Sequence, residues 1–209
     1  MPIIAYDMYQ NHKLYQRSVS WHRVGITTEN LMTLIRSCEE DDLSAIAAIY
    51  GEAVRTGTAS FELEPPSITE IVRRWRALVD GGYPYLVAEM EDGSVKGYAY
   101  AGPYRARPAY RSSVENSVYV APDVQGLGIG RQLLTALVDD AAARSYRQMI
   151  AVIGDSRNIP SVRLHTAAGF THVGILKDVG WKHGIWLDTI LMQRQLGSGS
   201  DAPSALAPP

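Results

Sequence analysis

Residues 118–130 read Val118-Tyr119-Val120-Ala121-Pro122-Asp123-Val124-Gln125-Gly126-Leu127-Gly128-Ile129-Gly130, a strand pattern that passes through a glycine-rich turn into a helix. Glycines let the backbone approach a ligand closely, and successive N–H groups of such a turn can converge on one anion. The following helix adds unpaired N–H donors and the positive end of its dipole. The turn predicts a phosphate or pyrophosphate site, although the same glycines also suit an ordinary tight connection.

Two other nucleotide-binding patterns are excluded at this turn. A P-loop requires Gly-Lys followed by Ser or Thr, and Gly130 is followed by Arg131 and Gln132. The dinucleotide-binding fingerprint belongs to the first βαβ unit of a parallel sheet, whereas several hairpin strands precede this turn.

Hydrophobic periodicity on both sides of the turn predicts the order β-α-α-β-β-β-α-β-α-β-β. This order indicates an α/β fold with a mostly antiparallel start. Asp92-Gly93 suits a tight hairpin turn, and Ser67 with Glu70 predicts a capping box at the start of the second helix. The predicted strands are Leu34–Arg36, Tyr85–Met90, Val95–Ala101, Ser113–Ala121, Met149–Ile153, Thr171–Leu176 and Ile185–Met192. The predicted helices cover about 43–53, 68–80, 129–141 and 160–168.

Composition limits the organisation of the chain and its class. The chain has 209 residues, 46% of them apolar, with a net charge of −2 and one cysteine, Cys38. These values fit one domain, provide no basic footprint for nucleic acid, and exclude a disulfide framework. No apolar run approaches the length of a membrane span. We expect a cytoplasmic protein with an extension over 1–31, a domain over 32–196, and a disordered tail over 197–209.

The turn and its strand resemble the coenzyme A motif of the GNAT superfamily of N-acetyltransferases. Other segments resemble one branch of it, the phosphinothricin and methionine sulfoximine N-acetyltransferases. These segments are Thr58-Ala59-Ser60-Phe61-Glu62, Tyr104-Arg105-Ala106-Arg107-Pro108-Ala109-Tyr110, Glu115-Asn116-Ser117-Val118-Tyr119-Val120, Ser161-Val162-Arg163-Leu164-His165, Ala168-Gly169-Phe170 and Gly180-Trp181-Lys182-His183-Gly184. The resemblance covers about residues 35–195.

The resemblance implies the GNAT fold, acetyl-CoA as the donor, and a homodimer. It further implies a sheet that is splayed beside Val118–Val120, where the pantetheine arm adds like an extra strand. The implied cofactor contacts are Val118, Tyr119, Val120, Gly126, Leu127, Gly128, Ile129, Gly130, Arg131 and Asn158.

Acetyl transfer to an amine requires a group that takes a proton from the ammonium, a donor for the developing oxyanion, and help for the departing thiolate. Glu115 is the candidate base, because a partly buried carboxyl can have a pKa near neutrality; the alternatives are a purely substrate-binding role or an ordinary surface glutamate. The backbone N–H of Val120 is the candidate oxyanion donor. His165 is the candidate acid or thiol-side residue, and the alternative is simple packing on its helix.

The resemblance also implies the acceptor site. Arg105 and Arg107 would bind the carboxylate, phosphinate or sulfoximine group of the acceptor, since arginine recognises such groups at two points; a solvated basic loop is the alternative. The other implied acceptor contacts are Phe61, Glu62, Tyr110, Glu115 and Ser117, together with Val152 and Gly154, where a neighbouring subunit approaches.

The function that the resemblance implies is N-acetylation of the α-amine of a small amino acid by direct attack. Methionine sulfoximine, methionine sulfone and phosphinothricin are the expected acceptors. Two alternatives stay open, another amine such as a protein N-terminus or a polyamine, and a non-catalytic acetyl-CoA sensor. No histidine has metal-ligand spacing, so we expect no metal, and we expect neither a nucleic-acid nor a membrane partner.

Overall fold

The computed structural model describes residues 33–206 of the chain. The predicted extension over residues 1–31 lies outside the described residues. The described part contains four α-helices and a sheet of seven strands. The strands are β1 (Leu34–Ser37), β2 (Tyr85–Glu89), β3 (Val95–Pro103), β4 (Ser113–Val120), β5 (Gln148–Gly154), β6 (Thr171–Lys182) and β7 (Ile185–Gln195). The helices are α1 (Leu43–Thr56), α2 (Ile68–Asp80), α3 (Ile129–Ala143) and α4 (Ile159–Ala167), with 3-10 turns at Glu40–Asp42, Pro108–Tyr110 and Pro122–Val124.

The predicted order of elements is confirmed, and the sheet is mostly antiparallel as expected. The strands lie in the order β1-β2-β3-β4-β5-β7-β6, and only β4 and β5 run parallel to each other. The parallel pair is joined by α3, because a parallel connection must cross over the sheet.

Helices cover both faces of the sheet. Gly97 of β3 faces Leu133 of α3, whereas Gly102 of the same strand faces Leu78 of α2. These two glycines differ by an odd number of positions, so they point to opposite faces. The core therefore has two layers around the sheet, with α2 on one face and α3 on the other.

The ends of the elements follow local chemistry, with two differences from the sequence prediction. Ser67 caps α2 by accepting from the backbone N–H of Glu70, but the Glu70 carboxylate binds Arg73 and Arg74 and does not close a capping box. The strand β6 continues to Lys182, past an irregularity between Leu176 and Gly180 that interrupts the apolar alternation.

The residues after β7 form turns that contact the domain. Arg147 donates to Ser198 and to the carbonyl of Pro203, and Arg111 donates to the carbonyl of Leu206. The expected disorder of the tail over 197–209 stays a prediction, and residues 207–209 lie outside the described residues. Among the described residues, no helix is long and apolar enough to cross a membrane.

Candidate active site

A gap opens in the middle of the sheet where β4 and β5 separate. The two strands pair with each other from Ser113 with Gln148 to Asn116 with Ala151, and beyond these residues they no longer pair with each other. A cleft of about 750 Å³ lies there, bounded by the ends of both strands and by the first turns of α3 and α4. This is the splay beside Val118–Val120 that the resemblance implied.

The open edge of β4 presents backbone groups to this cleft. The N–H of Ala121 donates to the carbonyl of Lys96, at the β3 side. Because backbone groups alternate in direction along a strand, the N–H groups of Val118 and Val120 point to the opposite side, into the gap. The side-chain amide of Gln125 donates to the carbonyl of Val120 at 3.2 Å, which is consistent with this direction. An extended arm and an oxyanion can both use such N–H groups.

The glycine turn sits at the mouth of the cleft. Gly126 and Gly128 have φ values of +82° and +86°, a left-handed conformation that disfavours other residues. The carbonyl of Gly128 accepts from the N–H groups of Arg131 and Gln132, both at 3.1 Å. The N–H groups at the very start of α3 have no earlier turn to bind to, and together with the helix dipole they suit an anion. Arg131 lies beside them in the wall of the cleft.

Asn158 caps α4 and also lines the cleft. Its Oδ1 accepts from the backbone N–H of Ser161 at 3.2 Å. Because the oxygen is used in this way, its amide NH₂ group remains as the donor that it can offer to a ligand.

Glu115 lies on the α1 and α2 face of β4. The ring of Tyr119, on the same strand, contacts the ring of Tyr50 of α1 edge to face, with the ring centroids 5.1 Å apart. Because side chains alternate between the two faces of a strand, Glu115 and Ser117 lie on the same face as Tyr119. Burial raises the pKa of Glu115 above its ordinary value, and the positive charge of Arg105 opposes this rise. A carboxylate with a raised pKa is a better proton acceptor for an ammonium group.

The α1–α2 loop brings Phe61 and Glu62 to the same face. The Glu62 carboxylate accepts from Arg74 of α2 at 2.6 Å. Burial raises the pKa of Tyr100, whose electrostatic neighbours are Glu115, Glu62 and Arg74. Charges of both signs therefore lie around Tyr100 on this face of the sheet, where an acceptor with both an ammonium and an anionic group finds both signs of charge.

The arginines predicted for the acceptor lie on the loop that follows β3. Arg105 stacks over the ring of Tyr104 at 5.0 Å, and Tyr104 meets Tyr110 edge to face at 5.7 Å. Arg107 is exposed at the start of the 3-10 turn that holds Tyr110. The base of this loop, Gly102, pairs with Glu115 across the sheet, so the loop begins beside the candidate base.

His165 approaches the gap from the opposite face of β4. It is 4% exposed, and its Nδ1 lies 2.8 Å from the carbonyl oxygen of Ser161, which can only accept. The proton is therefore on Nδ1, and Nε2 accepts from the side-chain amide of Asn116 at 2.9 Å. Burial lowers the pKa of His165, so the ring is neutral near pH 7. This arrangement suits a fixed thiol-side residue better than a proton donor, because neither nitrogen offers a free proton to the gap.

The two residues predicted beside a neighbouring subunit differ in their surroundings. Val152 is 40% exposed and lines the cleft. Gly154 lies under the α1–α2 loop of its own chain, and a Cβ there would be 2.6 Å from the carbonyl oxygen of Ala59.

The sequence reasoning assigned no role to Asn116, Arg74 or Lys182. Asn116 and Lys182 belong to the quoted motifs, and this was the only sign of a role in the sequence. Their partners, His165 and Ser60, lie 49 and 122 residues away along the chain. Arg74 gave no signal beyond the apolar periodicity of its helix. Among the described residues, no group of three or more metal-binding side chains is found.

Known proteins are similar to this chain in sequence and in architecture. Residues 35–191 match the model of the acetyltransferase (GNAT) domain. The chain is 51% identical over 177 residues to a phosphinothricin N-acetyltransferase of Alcaligenes faecalis, covering 85% of this chain and 89% of that protein. It is 40% identical over 169 residues to an L-methionine sulfoximine/L-methionine sulfone acetyltransferase of Pseudomonas paraeruginosa, covering 81% and 98% of the two chains. The crystal structure of a phosphinothricin acetyltransferase from Sinorhizobium meliloti in complex with AcCoA superposes with a TM-score of 0.82 at 44% identity, covering 84% and 95%.

Proposed function

The chain belongs to the GNAT family of acetyltransferases, and from this premise we propose that it transfers the acetyl group of acetyl-CoA to the α-amine of a small amino acid. It is an N-acetyltransferase, and its acceptors are methionine sulfoximine, methionine sulfone and phosphinothricin. The observation that carries the proposal is the half-buried Glu115, whose pKa is raised, on the strand that borders the open gap. The names of the relatives described above support the choice of acceptors.

The gap between β4 and β5 is the donor site in this proposal. Its shape supports an extended pantetheine arm, because the N–H groups of Val118 and Val120 face an edge that no strand of the described chain covers. The turn from Gly126 to Arg131 holds the pyrophosphate through its backbone N–H groups. A Cβ at Gly126 or Gly128 would meet no atom within 4 Å, so the turn is open to a ligand.

Acetyl-CoA supplies a thioester carbonyl carbon that an amine nitrogen can attack. Glu115 takes the proton that the acceptor ammonium must lose before attack. The Val120 N–H stabilises the negative charge that develops on the carbonyl oxygen. The nitrogen forms its bond to the carbonyl carbon and the C–S bond breaks, so that the thiolate departs on the side of His165. The second proton that the nitrogen loses goes to the departing sulfur, and the products are the amide and the free thiol of coenzyme A. No enzyme nucleophile takes part, and the buried Cys38 lies on the loop after β1, away from the cleft.

The acceptor lies on the other side of β4, against Ser117, Phe61 and Glu62. Arg105 and Arg107 bind its carboxylate, phosphinate or sulfoximine group, for which paired N–H donors are well suited. The mixed charges around Tyr100 support this placement.

We also propose that two copies of the chain associate through the β6–β7 hairpin. The hairpin exposes apolar side chains at the edge of the sheet, and an apolar surface of this kind marks an interaction site. Its exposed residues are Val173, Ile175, Leu176, Val179, Trp181 and Trp186. A second copy of the same apolar surface is the occupant with matching chemistry, since a two-fold interface is self-complementary.

We place this enzyme in the cytoplasm, because a single unpaired cysteine is typical of proteins in a reducing compartment.

The experiment is an assay of free thiol release from acetyl-CoA with the purified full chain. The acceptor panel contains methionine sulfoximine, methionine sulfone, phosphinothricin, ordinary amino acids, a polyamine and a peptide with a free N-terminus. We expect selective turnover of the first three compounds. Turnover of the peptide or the polyamine alone would contradict the proposed amino-acid acceptors. Binding of acetyl-CoA without any turnover would favour the alternative of a non-catalytic sensor.

A further inference from the structure

The ring of Phe61 lies in a slot between two glycines of different strands. A Cβ at Gly180 of β6 would lie 2.5 Å from Cε2 of Phe61, and a Cβ at Gly154 of β5 would lie 3.0 Å from its Cε1. Real Cβ atoms essentially never approach as closely as 2.5 Å, so Gly180 leaves room for the ring only because it lacks a side chain, and the space at Gly154 is also tight. Neither glycine has a left-handed φ, which means that alanine at Gly180 would meet the ring and not a backbone restriction.

The residues before Phe61 are held from three further directions. The ammonium of Lys182 donates to the carbonyl of Ser60 at 2.8 Å, and the Ser60 and Tyr50 hydroxyls lie 2.9 Å apart. The Thr58 hydroxyl donates to the Asp155 carboxylate at 2.7 Å. The α1–α2 loop is therefore held in one position by contacts with α1, β5 and β6.

Lys182 is unusual because it is a cation that is only 3% exposed. Burial lowers its pKa, and the negative charge of Glu62 opposes this effect. Burying an ammonium group costs free energy unless its N–H groups donate hydrogen bonds, so packing alone does not explain a lysine at this position. Its hydrogen bond to the carbonyl of Ser60 does, since this bond joins β6 to the residue directly before Phe61.

We propose that Gly180 and Lys182 of β6 are positioning residues that fix Phe61 and Glu62 at the acceptor pocket and so determine which amines are accepted. The inference rests on the proposed function, which places Phe61 and Glu62 against the acceptor. Neither Gly180 nor Lys182 lines the cleft between β4 and β5, as far as the described residues show. Their effect should therefore fall on the acceptor and leave acetyl-CoA unaffected.

The test compares Gly180→Ala with Gly174→Ala, a matched control on the same strand. A Cβ at Gly174 meets nothing within 4 Å, and its φ is not left-handed. Steady-state kinetics are measured with the preferred acceptor and with acetyl-CoA as separate variables. We expect Gly180→Ala to lower kcat/KM for the acceptor by about 100-fold, since a displacement of about 1 Å can cost that much. We expect its KM for acetyl-CoA and all constants of Gly174→Ala to match the wild type.

A double variant shows whether Phe61 transmits the effect. Phe61→Leu removes ring atoms from the slot, so Gly180→Ala should cost much less in that background than in the wild type. The effects of substitutions at two contacting residues are non-additive in this way, whereas the effects at two independent residues add.

Lys182→Met tests the second anchor without a clash. Methionine keeps the length of the buried chain and removes the ammonium, and we expect kcat/KM for the acceptor to fall about tenfold, the value of a charged hydrogen bond. Lys177→Met, on the exposed part of β6, is the control and should keep the wild-type constants.

Three results would overturn the inference in an enzyme whose wild type is active. They are unchanged acceptor kinetics in Gly180→Ala, an equal rise in KM for acetyl-CoA, and strict additivity with Phe61→Leu. A wild-type chain that acetylates no amine would instead contradict the proposed function itself, so the two failures are distinguishable.

Discussion

The side-chain amide of Asn116 lies 2.9 Å from Nε2 of His165 and donates to it. The direction follows from the other ring nitrogen, whose proton is bound by the carbonyl of Ser161. The Oδ1 atom of Asn116 is buried and has no hydrogen-bond partner among the described residues. The pair therefore fixes one tautomer of a neutral histidine at the inner end of the gap, where β4 and β5 separate.

Asn116→Asp should change the protonation of His165. A carboxylate in place of the amide cannot donate to Nε2, so it favours a proton there and raises the pKa of the ring. In ¹⁵N NMR spectra near pH 7, we expect the wild-type ring to carry its proton on Nδ1 alone and the variant ring to carry protons on both nitrogens. A wild-type ring with its proton on Nε2 would refute the assignment.

Glu115→Gln should remove the acidic limb of the pH profile. The wild-type base works only when it is deprotonated, so kcat/KM falls as the pH drops through the pKa of Glu115, which burial holds above its ordinary value. Glutamine does not titrate, and we expect kcat to fall by about 100- to 10,000-fold, the range for a lost general base. Glu91→Gln, on the exposed turn between β2 and β3, is the control and should keep the limb. A Glu115→Gln profile that retains the wild-type limb would show that another group titrates.

Arg105→Met should move the same limb to higher pH. The guanidinium of Arg105 lowers the pKa of Glu115, so its loss raises that pKa and the carboxyl becomes protonated at a higher pH than in the wild type. The pH dependence of kcat/KM is the measurement, because it reports groups of the free enzyme. Arg107→Met is the matched control, since it removes a charge from the same loop, and we expect its limb to stay in place. A limb that moves to lower pH in Arg105→Met would contradict the interaction.

Local patterns were sufficient to predict the order of elements, but the long-range contacts of the site could not be predicted from them. The Asp92-Gly93 turn and the glycine turn at 125–130 depend on neighbouring residues, and both were found. The pairing of Lys182 with Ser60 joins residues that are 122 positions apart, and only the completed sheet brings them together. The end of β6 was missed for a related reason, because Asp178 and Gly180 interrupt the alternation that marks a strand while β7 still pairs beyond them.

Gly128→Ala should weaken acetyl-CoA binding by altering the turn. Its φ of +86° costs alanine about 1–2 kcal/mol, so the turn either keeps its shape at that cost or relaxes away from the phosphate. Gly82→Ala is the matched control, with a φ of +76° in the turn after α2 and equally open space. We expect similar losses in unfolding free energy for both variants and a rise in Kd for acetyl-CoA in Gly128→Ala alone. Equal Kd values in calorimetric titrations would show that this turn does not hold the phosphates.

Trp181→Glu combined with Trp186→Glu should convert the proposed dimer into monomers. The two indoles contact each other edge to face at 5.1 Å and are 56% and 60% exposed, so they form an exposed apolar pair beside the turn of the β6–β7 hairpin. Two like charges within a self-complementary interface are doubled by its two-fold axis, and they must be desolvated without partners. Sedimentation velocity of the full chain measures the change, and Leu34→Glu at the opposite edge of the sheet is the control that should remain a dimer. A wild-type protein that sediments as a monomer at all concentrations would contradict the proposed dimer. A double variant that remains a dimer would mean that another surface joins the two chains.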